Sequence, residues 1–272
     1  MAALGFALKP LDALTGTRGT AESVGMTISL LIAHGIMLGW LDPAGWQYVR
    51  MHREAAGGRA LGAGFGLGVA PIGTACLFLF VVGWLAIQAT PDGPWWRAAI
   101  GVSLALLPAA FYEELLSRGY VFSALTDGVG RVGAIAITSL AFGLLHMWNP
   151  GRTPGSIANV VLAGVFLAAV LLVTRSLYAA TMAHFGWNWL MAVPLHVRVS
   201  GLELPNPDYE TVETGPDWVT GGAWGPEGGA AATAAMILAL VLLYLWGSRR
   251  EAGGSGLGST HDDSGEQESS SP

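Results

Sequence analysis

The feature that most constrains this chain is a series of long apolar runs, set apart by short blocks that hold most of its charge. The hydrocarbon core of a bilayer is about 30 Å thick and takes about 20 helical residues to cross. Runs of about that length lie at roughly 23–41, 61–88, 98–125, 131–147, 157–174, 178–196 and 229–247, which predicts seven spans. Only 12% of the residues are charged and 52% are hydrophobic, whereas soluble domains carry charge on about a quarter of their residues. The fold class expected is therefore all-α: a polytopic transmembrane helix bundle of about seven spans in a cell membrane.

Residues 1–22 read as an N-terminal segment with no cleavable signal pattern. Residues 23–247 form the membrane domain, and 248–272 read as a disordered, acidic, Gly/Ser-rich tail. The net charge of −6 comes mainly from one loop and that tail, so nothing points to nucleic acid. Cys76 is the single cysteine, and no internal disulfide is possible.

Arginines mark the first loop (Arg50, Arg53, Arg59) and follow the last span (Arg249, Arg250), while loop 197–228 is acidic. By the positive-inside rule this predicts an outside N-terminus and a cytoplasmic C-terminus. GAGFGLG at 62–68 holds two overlapping G-x-x-x-G patterns, the spacing of close helix packing in lipid. Trp95, Trp96, Trp148, Trp187, Trp189, Trp218 and Trp224 read as interfacial anchors, His34 and His196 as structural, and Pro108 as a kink.

Three short segments resist a packing explanation. FYEELLSRGY (111–120) places Glu113, Glu114 and Arg118 inside an apolar run, where each charge costs about 2.5–3.5 kcal/mol on insertion scales. Glu114 and Arg118 are four apart and share a helix face, so they can pair; Glu113 points elsewhere. AFGLLHMWNP (141–150) carries His146 one turn after Phe142, and TMAHFGWNW (181–189) carries His184 one turn before Asn188. Each alone admits a bland reading: a surface salt bridge at a helix end, an interfacial histidine, or an interhelical hydrogen bond.

Together they supply the parts of a hydrolase. A carboxylate in an apolar site accepts a proton from water near neutral pH. Histidine shares that proton or binds a metal. An asparagine amide donates to a developing oxyanion.

The motifs E-E-x-x-x-R, F-x-x-x-H and H-x-x-x-N, in this order across residues 98–196, resemble the CPBP family. These are Abi-type membrane proteases of the CAAX-processing and bacteriocin-processing kind. The resemblance implies a catalytic core of helices around an intramembrane cavity open to membrane and cytoplasm. Glu113 would be the general base, assisted by His146. His184 and Asn188 would stabilise the oxyanion, and Glu114 and Arg118 would support the site.

The implied substrate is a membrane-associated or lipidated peptide or protein. A zinc ion would have to be gathered from His146, His184 and a glutamate, because H-E-x-x-H is absent. Zinc-dependent and metal-independent chemistry both stay open at this point. Two other classes share the residues: a peptide-binding immunity protein that does not cut, and a proton-coupled transporter. Transporters commonly carry duplicated halves, and no repeat stands out.

Overall fold

The computed structural model describes residues 8–89, 95–204 and 209–255. The short helix α1 (Pro10–Thr15) leads into α2 (Thr20–Trp40), and Asp12 Oδ1 accepts the Ala21 N–H at 2.8 Å where the two meet. The long helices that follow are α3 (Gly58–Val81), α4 (Trp95–Arg118), α5 (Tyr120–Leu145), α6 (Pro154–Thr174), α7 (Leu177–Ala192) and α9 (Ala230–Ser255). The one-turn α8 (Asp217–Thr220) lies in the loop before α9. The protein is an all-α helix bundle.

Among the described residues, five stretches are long and apolar enough to cross a membrane: Thr20–Trp40, Gly58–Val81, Ala98–Trp148, Pro154–Thr174 and Ala230–Ser248. Ala98–Trp148 joins α4 and α5. The sixth run forms α7, whose 16 residues reach only about 24 Å. It lies at the centre of the bundle, with Ala179, Ala180, Ala183 and Met191 fully buried.

Helix ends depart from the apolar runs where local chemistry intervenes. The second run stops as a helix at Val81; Gly83 turns at φ 77°, and Leu85–Ala89 becomes strand β1. It pairs antiparallel with β2 (Tyr209–Glu213), from Leu85 opposite Glu213 to Ala89 opposite Tyr209. The third run breaks at Gly119 rather than after 125. His34 donates Nδ1–H to Leu30 O at 2.8 Å and accepts the Tyr120 N–H on Nε2 at 3.1 Å, so a span residue caps the new helix. A Cβ at Gly119 would collide with that imidazole.

Gly130, at φ 77°, kinks α5 close to where the sequence placed its boundary. Pro108 leaves α4 unbroken, and its carbonyl accepts the Thr27 hydroxyl at 3.0 Å. At the far end α9 continues to Ser255, into the segment read as tail; residues 256–272 of that tail, and residues 1–7, lie outside the described residues.

The glycines of the second run do what their spacing suggests, on one of the two patterns. A Cβ at Gly64 or Gly68 would run into the carbonyl of Ala179 or Ala183, whereas Gly62 and Gly66 face open space. Backbone contact therefore sets α3 directly against α7, the helix that carries His184. Trp148 and Trp218 are strongly exposed, as anchors should be, but Trp187 and Trp224 are buried (6% and 0% exposed) and belong to the interior.

Candidate active site

Five and four residues before its end at Arg118, α4 presents Glu113 and Glu114 on different faces. Glu114 is fully buried and pairs with equally buried Arg118 one turn on (Nη1–Oε1 3.0 Å). Arg118 also donates from Nη2 to Gly164 O on α6 at 2.9 Å, and its guanidinium lies 4.5 Å from the centroid of the Phe142 ring. One ion pair thus ties α4, α5 and α6 together. Two charges so deep in the bundle persist only with such partners.

His184 Nδ1 donates to the same Glu114 Oε1 at 3.1 Å. The ionised acceptor has no hydrogen to give, so the proton sits on Nδ1. At the C-cap of α5, His146 Nδ1 donates to Phe142 O at 2.8 Å, back onto the last turn of the helix. Both Nε2 atoms then turn toward Glu113, at 3.9 Å for His146 and 3.8 Å for His184 from Oε2. That oxygen is buried and makes no hydrogen bond among the described residues. These separations are too long for a direct bond.

Asn188 lies one turn beyond His184, half-buried. With Phe142, His146, His184 and Trp187 it lines a cavity of about 40 Å³. By this measure one water needs only about 10–15 Å³. The structure brings all six motif residues into one neighbourhood: Glu113, His146 and His184 directly, Glu114 and Arg118 behind them, and Asn188 along the cavity wall.

Glu227, a carboxylate of the acidic loop, lines the same cavity. It accepts the Trp187 indole N–H (2.7 Å), the Ser200 N–H (2.7 Å) and the Ser200 hydroxyl (2.7 Å). Its backbone carbonyl accepts from Asn159 at 2.8 Å. The loop is thereby fastened over the end of α7. Nothing in the spacing of the loop acids singled out Glu227; an acidic loop reads as solvated.

His146 and His184 are the side chains that zinc would meet. Among the described residues, no group of three or more His, Cys, Asp or Glu is placed to hold a metal ion.

No curated protein and no solved structure matches the chain. Residues 94–190, the segment that holds all six motif residues, match the family model of the Rce1-like type II CAAX prenyl endopeptidases, a match consistent with a CPBP-family intramembrane protease.

Proposed function

We propose that this chain is an intramembrane endopeptidase, with 98–196 as its catalytic core, that hydrolyses a peptide bond of a membrane-associated, lipidated peptide or protein. The observation that carries this reading is the convergence of His146 Nε2 and His184 Nε2 on Glu113 Oε2. A water held there gives its proton to Glu113, with His146 Nε2 as the second acceptor, while its oxygen attacks the scissile carbonyl carbon.

The oxyanion that forms receives hydrogen bonds from the Asn188 amide and from His184 Nε2–H. His184 can donate there only when doubly protonated, because its other proton is committed to Glu114. Collapse of the intermediate breaks the C–N bond, and the proton on Glu113 passes to the departing amine. Glu114 and Arg118 position His184 and Phe142 and touch no substrate.

In this reading the arginine-marked loop and the C-terminus face the cytoplasm and the acidic loop faces outward. No step requires a metal; a chelator arm in the assay tests that separately. Quenched fluorescent peptides, with and without a lipid tail, are the test in purified protein. Cleavage by the wild type that is lost in Glu113→Gln and His146→Ala supports the protease. Substrate binding without cleavage by the wild type would favour a peptide-binding immunity protein instead.

A further inference from the structure

A second cluster of charge lies at the arginine-marked end, apart from the catalytic residues. The connection between α2 and α3 folds back on the bundle there. Its Tyr48 carbonyl accepts the Ser123 hydroxyl at 2.8 Å, its Arg50 carbonyl accepts the Leu177 N–H at 3.2 Å, and its Ala55 carbonyl accepts the Ser176 hydroxyl at 2.7 Å. The Tyr48 hydroxyl donates to Asp127 at 2.6 Å.

These bonds bring together three arginines from three places in the chain. Arg50 lies in the connection, Arg131 one turn after Asp127, and Arg175 two residues before Leu177. Arg50 and Arg175 both adopt left-handed backbone (φ 56° and 55°). Arg50 Nη1 is buried without a hydrogen-bond partner among the described residues. Burial, with Arg131 and Arg175 as like charges nearby, lowers the Arg50 pKa; Asp127 opposes this. Its Oδ2 is already engaged by Tyr48.

We propose that Arg50, Arg131 and Arg175 form a binding site for the phosphate of an anionic phospholipid headgroup. Guanidinium forks suit phosphate oxygens, and basic pockets at the cytoplasmic ends of helices hold such headgroups. A lipid, rather than a free anion, is indicated by the aromatics beside the site: Trp40 (87% exposed) ends α2 and Trp46 (39% exposed) lies in the connection that carries Arg50, as interfacial aromatics do. A headgroup bound here bridges the start of α7, the helix that carries His184, and the second half of α5, which ends next to His146. The inference is independent of the protease reading.

The test titrates the full chain in detergent with phosphatidylglycerol, phosphatidylcholine or inorganic phosphate, and reads bound lipid by native mass spectrometry. The variant is Arg131→Gln with Arg175→Asn, both exposed positions; asparagine tolerates the left-handed backbone. The site predicts saturable binding of one phosphatidylglycerol, with affinity about 30-fold weaker in the double variant, from the usual worth of two basic residues near an anionic headgroup. Thermal unfolding in phosphatidylcholine checks that the variant folds; if it does not, Arg131→Gln alone must weaken binding about fivefold. Equal phosphatidylglycerol affinity in wild type and variant overturns the site. Inorganic phosphate binding as tightly as phosphatidylglycerol overturns the lipid assignment.

Discussion

His184 and Arg118 meet at a single oxygen atom, Glu114 Oε1, which accepts from the imidazole at 3.1 Å and from the guanidinium at 3.0 Å. The carboxylate next in sequence, Glu113, is left facing the two Nε2 atoms. Adjacent glutamates are thus divided by helix geometry, one building the site and the other available for chemistry.

Glu114→Gln leaves Arg118 buried with its compensating charge gone. Breaking a buried pair from one side costs about 3–5 kcal/mol. The expected outcome is a large drop in the unfolding temperature in detergent, with cleavage lost. A variant as stable as wild type would show that the pair does not hold the core.

Gly68→Ala forces a methyl group against the Ala183 carbonyl. Overpacking of this kind costs about 1–3 kcal/mol, and here it displaces the helix that carries His184. Gly66→Ala, facing open space, is the control and should be neutral or slightly stabilising. Thermal unfolding of the pair checks the prediction, and equal effects at the two positions would contradict it.

Glu227→Ala removes three hydrogen bonds that fix the loop to α7. The predicted result is a loss in kcat/KM of about tenfold, the equivalent of one charge-assisted bond, in a protein that still folds. Unchanged kcat/KM would separate the loop from the site.

Much of this arrangement was legible in the sequence because lipid makes charge conspicuous. Glu113, Arg118, His146 and His184 stand out among apolar neighbours, and helical spacing says which share a face. The helices follow for the same reason.

What stayed hidden depends on partners remote in sequence. Strand β1 looked like the end of a span because its partner lies some 120 residues away. The break at Gly119 depends on His34, from another helix. Trp187 and Trp224 read as anchors because tryptophan near a span end looks the same whether it faces lipid or a loop folded back over it. Glu227 was invisible among other acids for that reason too.

The acidic loop carries a pH dependence of its own. Burial raises the Glu213 carboxyl from about 4.5 to about 7, against hydrogen bonds from Thr220 and the Gly222 backbone. The folded chain then binds this proton more tightly than the unfolded chain. Its contribution to stability is therefore full below about pH 4.5 and is lost as pH rises to about 7. Glu213→Gln should flatten this part of the profile of unfolding temperature against pH; a profile identical to wild type would contradict the assignment.

The most direct test of the central claim is single-turnover cleavage of a lipidated, quenched peptide by wild type and by Glu113→Gln, with substrate binding measured on both. General-base catalysis typically contributes about 10²–10⁴-fold, so the variant should bind the peptide normally and cut it slower by at least the lower figure. A chelator arm in the same assay, with loss of rate restored by added zinc, would bring a metal into the site. Cleavage by Glu113→Gln at the wild-type rate would contradict the account, because no other carboxylate faces both His146 and His184 among the described residues.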